Sequence, residues 1–273
     1  MNWKLPRAVE MDDAAQSASL LETPSQATRP FSLLSFNIQG GLATHHYRQY
    51  VTRAWRYVLP TRERSANLAR MAALMREHDF VAIQEADAGS LRTGQRNLVE
   101  WLAEAAGFPY HGYAVTRPMG SLAQICLGYL SRIPIDNVHR HDLPGAIPGR
   151  ALLEVTLSPP SLGTTTIIIT HMALGNKSRA RQLASLVTHL GDRQAIVIGD
   201  FNERHQGLQN HPALLNAGLR PCPNPPLTYP SWHPRQSLDQ VLVMPGLKIV
   251  QARALPVALS DHLPLEVQLA RAK

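Results

Sequence analysis

The sequence is poor in cysteine: its 273 residues contain only Cys126 and Cys222, and neither belongs to a CxxC pair. Two cysteines so far apart exclude a zinc ribbon and a disulfide scaffold, and they fit a reducing compartment. A chain of this length needs no such staple, because about three quarters of the unfolded surface is buried at this size. We therefore expect a fold that is held together by an apolar core.

Long apolar runs are also missing. No stretch reaches the roughly 20 apolar residues that are needed to span a bilayer. The first 30 residues carry Glu10, Asp12 and Asp13 and lack the continuous apolar segment of a signal peptide. These absences predict a cytoplasmic protein in which residues 1–29 form a poorly ordered extension.

Acidic residues are in the minority, since 20 Asp and Glu stand against 27 Lys and Arg and give a net charge of +7. Such an excess favours a phosphate-bearing partner, although net charge bears on association and not on fold. Arginine outnumbers lysine, which suits the forked contacts that guanidinium groups make with phosphate oxygens.

Apolar runs and spacings predict an alternation of strands and helices. Helices are expected over 62–76, 98–105 and 178–190. The predicted strands are 31–38, 80–84, 124–130, 151–157, 165–170, 195–198, 238–243 and 265–269. Because several strands follow one another without a helix between them, two mixed sheets with helices outside are favoured over a strict βαβ repeat.

The predicted strands share one feature, a polar residue of chemical interest at the end of each apolar run. Residues at the same end of neighbouring strands converge on one patch, and their carboxylates and carboxamides are the oxygen ligands that Mg²⁺ prefers. Histidines beside them can bind phosphate or act as general acids near neutral pH. Singly each motif is typical of a turn, a cap or a core histidine, whereas together they predict metal-assisted hydrolysis of a phosphate ester.

The ordered set of six motifs resembles the endonuclease/exonuclease/phosphatase superfamily, which has the deoxyribonuclease I-like fold. The resemblance covers residues 31–270 and implies a four-layer α/β/β/α sandwich, an α/β fold with two mixed sheets flanked by helices, in one domain over 30–273. The motifs are Ser35-Phe36-Asn37-Ile38-Gln39-Gly40, Ile83-Gln84-Glu85, Thr170-His171, Gly199-Asp200-Phe201-Asn202, Leu238-Asp239-Gln240-Val241 and Ser260-Asp261-His262.

The resemblance implies a Mg²⁺ or Mn²⁺ site and a water that attacks the phosphorus in line. Glu85 resembles the principal metal ligand, assisted by Asn37, and Asp261 resembles an acid near the metal. Asp200 resembles the carboxylate that orients or deprotonates the attacking water, and Asn202 resembles the carboxamide that holds a phosphate oxygen.

The resemblance also assigns two histidines. His262 resembles the histidine that contacts the scissile phosphate, with Asp239 as its carboxylate partner. His171 resembles the histidine that stabilises or protonates the leaving group. A Thr-His motif at this position points to the deoxyribonuclease, sphingomyelinase and inositol-phosphatase side of the superfamily, in a bacterial-type member.

Two departures from the superfamily pattern reduce what can be transferred. Some relatives carry an Asp where this chain has Gln39, which predicts a weaker or single metal site. Relatives often have an Asn before the Leu-Ser-Arg stretch, whereas this chain has Cys126-Leu127-Gly128, so one phosphate contact is predicted to be missing.

An insertion over residues 42–64 mixes tyrosines and Trp55 with arginines. Three interpretations remain open: a helix that packs on the sandwich, the wall of a nucleic-acid groove, and an interfacial helix near anionic lipid head groups. Outside this insertion, the candidate substrate contacts are Arg132, Arg150 and Trp232.

The function that we expect is hydrolysis of phosphodiester bonds, nuclease-like, because the chain and its insertion are basic. The first alternative is a phospholipid or inositol-phosphate phosphodiesterase or phosphatase, and the second is a non-catalytic binding module of the same fold. No obligate protein partner is predicted. The natural substrate, the endo or exo mode, the number of metals and the oligomeric state stay open.

Overall fold

A computed structural model of the chain describes residues 29–43, 62–191 and 193–272. The predicted extension over 1–29 and the insertion over 42–64 therefore lie outside the described residues, apart from their ends. None of the described helices is both long enough and apolar enough to cross a membrane.

Twelve strands and five helices make up the regular structure of the described residues. The strands are β1 (Phe31–Asn37), β2 (Phe80–Asp87), β3 (Tyr110–Met119), β4 (Ala123–Ser131), β5 (Ile135–Asp142), β6 (Ala151–Leu157), β7 (Thr165–His171), β8 (Ala195–Asp200), β9 (Arg220–Pro221), β10 (Asp239–Val243), β11 (Leu247–Ala254) and β12 (Leu265–Arg271). The helices are α1 (Arg62–Met75), α2 (Leu98–Ala106), α3 (Asn176–Leu190), α4 (His205–Gln209) and α5 (Pro212–Asn216).

The strands form two six-stranded sheets, in the orders β11-β12-β1-β2-β4-β3 and β5-β6-β7-β8-β10-β9. Each sheet is mixed, because β1 pairs with β2 and β7 with β8 in parallel, while the other pairs are antiparallel. The predicted α/β sandwich of two mixed sheets flanked by helices is confirmed.

The period of two along a strand sorts the apolar side chains into layers. In β1, Leu33 points to the core between the two sheets, where it meets Val155 and Ile198. Its neighbour Leu34 points the other way, into the layer beneath α1 and α2. A third apolar layer separates the second sheet from α3, α4 and α5. Central strands are thus buried on both faces, which explains their nearly continuous apolar sequences.

The strand directions give the sandwich two different edges. The parallel strands β1, β2, β7 and β8 all end at one edge, which we call the upper edge. The described loops there are 38–43, 88–97, 120–122, 143–150, 172–175, 201–204, 222–238 and 255–264. The opposite, lower edge consists of the described loops 76–79, 107–109, 132–134, 158–164, 193–194, 217–219 and 244–246. The polar strand-end residues predicted from the sequence lie at the upper edge.

Candidate active site

Strand register brings the predicted site residues together. Asn37 and Gln84, the neighbour of Glu85, are paired across the parallel strands β1 and β2. In the other sheet Asp200 lies between two partners, opposite His171 of β7 and Asp239 of β10. Asp261 and His262 come from the loop between β11 and β12. Residues that are far apart in the sequence and lie in two different sheets thus form one polar cluster.

Two backbone features shape this cluster locally. Glu85 adopts a φ of 55° at a point where the pairing of β2 with β4 shifts register, so the strand bulges there. Gly199 has a φ of 141°, and a Cβ atom at this position would lie 2.0 Å from the carbonyl oxygen of Thr170. A glycine is therefore required for β8 to approach β7 beside the site.

Asn37 links the carboxylates of the two sheets. Its Nδ2 lies 3.2 Å from Glu85 Oε1 and 3.3 Å from Asp200 Oδ2. Its Oδ1 accepts a hydrogen bond from the backbone N–H of Gln39 at 3.2 Å. With the amide in this orientation, Asn37 donates to the carboxylates of both sheets. Asn37 thus contacts both Glu85 and Asp200, and its predicted part in holding the metal stays a prediction.

His262 is held by a buried carboxylate. Its Nδ1 lies 2.7 Å from Asp239 Oδ2, and Asp239 is fully buried. Burial acts to lower the pKa of the imidazole, but the charges of Asp239 and Asp200 outweigh it and hold that pKa well above its ordinary value of 6.5. The ring of Tyr229 lies against it, with 4.8 Å between the ring centroids. His262 is thus a cation, with its Nε2 toward Asp200 at 3.8 Å.

Asp200 lies at the centre of the cluster and is buried. Its Oδ2 lies 3.4 Å from His171 Nε2, and its Oδ1 accepts a hydrogen bond from the backbone N–H of Asn202 at 2.9 Å. Burial raises the pKa of the Asp200 carboxyl to about 7, although the charge of His262 opposes the shift. A carboxyl group with that pKa can exchange a proton near neutral pH.

His171 differs from His262 in charge. Its Nε2 lies 3.7 Å from Glu85 Oε1. Burial, followed by the nearby charges of Arg150 and His262, lowers the pKa of His171 well below 6.5. The site therefore contains one neutral and one cationic imidazole.

Glu85 and Asp261 share an excess of negative charge. Burial, and then the charge of Asp261, raise the pKa of Glu85. Ser260 Oγ donates a hydrogen bond to Asp261 Oδ1 at 3.0 Å. A buried carboxylate whose pKa is raised by a neighbouring carboxylate is suited to binding a cation.

The other predicted residues lie in different places. Asn202 is at the site, with a φ of 49°, but its Nδ2 donates to the carbonyl of Met172 at 2.9 Å. Arg150 is at the site, donates to the carbonyl of His171 at 3.3 Å, and interacts with the charges of Glu85 and Asp200. Trp232 is half-buried beside Ser231, whose N–H donates to the carbonyl of Asp261 at 2.7 Å.

Arg132 is not at the site, and its predicted contact with substrate is withdrawn. It follows β4, which runs antiparallel to β2 and ends at the lower edge. Its guanidinium donates to the carbonyl oxygens of Arg76, His78 and Gly107. Its role is thus to fasten three chain segments.

Two neighbours of the site were not predicted to take part. Arg117 at the end of β3 is close enough to interact with Arg150, and Tyr229 lies against His262. Tyr229 stands ten residues before Asp239 in Thr228-Tyr229-Pro230-Ser231-Trp232, a segment whose aromatic residues predict loop packing or, as the alternative, a stacking platform. The sequence contained no signal for Arg117, because its strand was not predicted.

Solved structures of other proteins share this fold. The endonuclease/exonuclease/phosphatase from Beutenbergia cavernae matches with a TM-score of 0.68 and 20% identity, over 89% of this chain and 72% of that one. The mannosyl-6-phosphatase of Bacteroides thetaiotaomicron matches with a TM-score of 0.63 and 18% identity, over 88% and 99%. The human Nocturnin catalytic domain with a bound sulfate anion matches with a TM-score of 0.64 and 17% identity, over 89% and 95%.

Sequence comparison identifies the family, whereas structural likeness at such low identities shows the fold alone. No curated protein sequence matches the chain. The profile of the Endonuclease/Exonuclease/phosphatase family matches residues 34–262, which include every motif of the cluster. The chain therefore belongs to the endonuclease/exonuclease/phosphatase family, as its motifs predicted.

Proposed function

We propose that this protein is a divalent-metal-dependent hydrolase that cleaves phosphodiester bonds by in-line attack of an activated water. Members of its family are hydrolases that act on phosphate esters, and they generally depend on a divalent metal. The observation that carries the proposal is a buried cluster of carboxylates, two of which have raised pKa values, beside a histidine whose pKa is also raised.

The donor set fits a hard divalent cation. Four carboxylates, those of Glu85, Asp200, Asp239 and Asp261, stand against two cations, Arg150 and His262, and burial raises the pKa values of Glu85 and Asp200. Among the described residues, no three His, Cys, Asp or Glu side chains are grouped as a complete metal cage. Mg²⁺ suits such a site, because it is usually held by one or two carboxylates and keeps water and substrate oxygens as its other ligands.

Glu85 and Asp261 would hold the metal, which when bound polarises the phosphoryl oxygen and neutralises charge. Asn37 orients Glu85 through its amide nitrogen. Asp200 orients a water and accepts its proton, for which a pKa near 7 is well matched.

The two histidines differ in charge and would act on different oxygens of the substrate. His262, kept cationic by Asp239, donates to a non-bridging oxygen of the phosphate and stabilises charge that develops there. His171 is neutral and can donate its N–H to the leaving oxygen. Arg150 supplies a second fixed cation beside His171.

A diester is favoured over a monoester because of the charge balance. A diester carries one negative charge and a monoester carries nearly two, and the protein side chains of the site are themselves anionic in sum. The mannosyl-6-phosphatase of Bacteroides thetaiotaomicron, which shares the fold, makes the monoester the alternative to test. Location in the cytoplasm stays a prediction, and it agrees with the two cysteines, which are free and buried.

The test is hydrolysis of bis-(p-nitrophenyl) phosphate and p-nitrophenyl phosphate with Mg²⁺, with Mn²⁺ and with EDTA. Wild type is compared with Glu85→Ala and with a matched control, Glu77→Ala, which removes an exposed carboxylate of the lower edge. We expect diester cleavage that EDTA abolishes and that Glu85→Ala reduces by about 10³-fold or more, with no effect of Glu77→Ala. Full activity in EDTA or in Glu85→Ala would refute the metal site. If the wild type hydrolyses neither ester, a non-catalytic binding module would be favoured.

A further inference from the structure

Exposed apolar side chains are concentrated at the upper edge of the sandwich. Eleven large apolar side chains are exposed in the described residues, and six of them lie at the upper edge, where the site is. We call these six the apolar rim: Leu91, Met119, Leu122, Ile147, Leu174 and Leu227. Leu174 and Ile147 are the most exposed, at 77% and 68%. The described lower-edge loops contain none of the eleven, although Tyr110 begins β3 there.

Hydrogen bonds hold in place the loops that carry the rim side chains. On the first sheet, the N–H of Leu91 donates to the carbonyl of Ser121 at 2.9 Å, which ties the loop after β2 to the β3–β4 hairpin. On the second sheet, Gln182 of α3 donates to the carbonyl of Pro144 at 3.0 Å and accepts from the N–H of Ala173 at 2.8 Å. One side chain thus holds the loops that carry Ile147 and Leu174. The apolar groups are presented to solvent by a pre-organised backbone.

Arginine lies between the two halves of the rim. A Cβ atom on Gly149 would lie 2.8 Å from the Cβ of Arg117, so the loop before β6 is packed against the end of β3. Arg117 is exposed there, and Arg150 follows directly on the site side. Exposed apolar side chains on both sheets therefore share the upper edge with two arginines, one of which, Arg150, interacts with the charges of the site.

The rest of the upper edge is basic as well. Arg96, Arg204 and Arg235 are exposed in its loops, whereas none of the acidic side chains that the structure describes in these loops is exposed. Glu203 is half-buried and bonded to Arg179. Asp142, at the end of β5, is exposed but paired with Arg140. This combination of aliphatic and cationic groups is complementary to the surface of an anionic bilayer.

We propose that the apolar rim seats this protein on an anionic phospholipid surface and delivers a lipid phosphodiester to the site. The proposal rests on the proposed function for the chemistry, but not for the binding. Aliphatic rim residues favour lipid over nucleic acid, because single strands are bound by aromatic side chains on which bases stack. Leu, Ile and Met side chains instead enter the boundary between head groups and acyl chains.

The test is co-sedimentation with vesicles in EDTA, where turnover does not interfere. Vesicles of phosphatidylcholine with 30 mol% phosphatidylglycerol are compared with vesicles of phosphatidylcholine alone. The rim variant is Ile147→Ser with Leu174→Ser. The control is Leu215→Ser with Val250→Ser, which removes two exposed aliphatic side chains outside the rim (56% and 51% exposed). Thermal unfolding of both variants verifies that they are folded.

We expect wild type to bind the anionic vesicles and the rim variant to bind about 10- to 100-fold more weakly, with no change in the control. No vesicle binding by wild type, or equal losses in both variants, would overturn the proposal. Binding of a DNA or RNA oligonucleotide in preference to the vesicles, unaffected in the rim variant, would assign this edge to nucleic acid. Hydrolysis of bis-(p-nitrophenyl) phosphate by wild type is read separately, so failure of the rim and failure of the proposed chemistry are distinguishable.

Discussion

The two edges of the sandwich use charged residues in opposite ways. At the lower edge the charged groups close the fold: Arg132 donates to three carbonyl oxygens, and Asp79 accepts from the N–H of Ser32 and from Arg29. At the upper edge carboxylates face one another, and Asp239 Oδ1 makes no hydrogen bond to any described residue. Uncompensated buried charge reduces stability, so its concentration at one edge marks the place where function is carried out.

The contrast also exists within the upper edge. Asp87 and Asp200 are both buried carboxylates at strand ends. Asp87 accepts from the N–H of Gly89, from Ser90 Oγ and from Arg92 Nε, and its charge is balanced. Asp200 meets two histidines and the amides of Asn37 and Asn202, and its pKa is raised to about 7. Position alone therefore does not make a buried carboxylate at this edge a site residue. A carboxylate whose charge is balanced by its partners has a structural role, whereas one whose pKa is raised is available for chemistry.

The largest of these effects is expected for a change of His262, at the upper edge. We expect His262→Gln to lower kcat on bis-(p-nitrophenyl) phosphate by about 10²- to 10⁴-fold, because the cation beside the phosphate is lost. The matched control is His78→Gln at the lower edge, where His78 is also buried and lies 3.4 Å from a carboxylate, that of Glu266. Equal kcat losses in both variants would break the comparison of the two edges.

A change at Asp87 should affect the stability of the fold, whereas a change at His262 should affect activity. We expect Asp87→Asn to lower the free energy of unfolding by about 3 kcal/mol, since it leaves the guanidinium of Arg92, which is 11% exposed, without its charged partner. Urea unfolding in EDTA measures this change. A stability equal to that of wild type would show that Asp87 is not the structural member of the pair.

A smaller loss is expected at the lower edge. Arg132→Met removes the guanidinium that bonds three carbonyls and lies 4.8 Å from the Phe108 ring centroid, while an apolar stem is kept. We expect about 1 kcal/mol lower stability, because the head group is exposed and water can replace part of its contacts. The kcat of the variant should equal that of wild type. A reduced kcat with unchanged stability would show that Arg132 contacts the substrate after all.

The error over Arg132 shows what a sequence pattern leaves open. Arg132 and Glu85 both follow apolar runs of the sequence, so the local pattern does not separate them. Whether an end belongs to the upper or the lower edge depends on strand direction, and β4 is antiparallel to β2. Local pattern does not encode direction. It does locate β1, β2, β7 and β8, because their apolar runs end in the polar motifs.

Edge strands were missed for a related reason. β3 and β11 are the outer strands of one sheet, and β5 is an outer strand of the other. Their residues are largely exposed and polar, as in Ile135–Asp142, so they show no apolar run. Central strands are buried on both faces and were found, with the site at their ends. The left-handed backbone at Glu85 and Asn202 is a product of tertiary packing and could not be predicted.

The smallest effect is the pH dependence of stability that Asp200 contributes. The pKa of this carboxyl rises from 3.8 to about 7 on folding, chiefly because of burial, so the native state binds the proton more tightly than the unfolded state. Stability from this group is therefore complete below about pH 4 and is lost as the pH rises toward 7. Asp200→Asn removes that loss while it keeps the shape of the side chain.

We expect Asp200→Asn to be more stable than wild type by about 1 kcal/mol at pH 8 in EDTA, with a gap that closes toward pH 4. The gap is smaller than the pKa shift alone implies, because Asp200 also helps to hold His262 in its charged form. Unfolding by urea across this pH range measures it, and addition of Mg²⁺ should narrow it from the wild-type side. Parallel stability curves for the two proteins would show that the carboxylates of the upper edge carry no excess charge, and the contrast between the edges would then lack its physical cause.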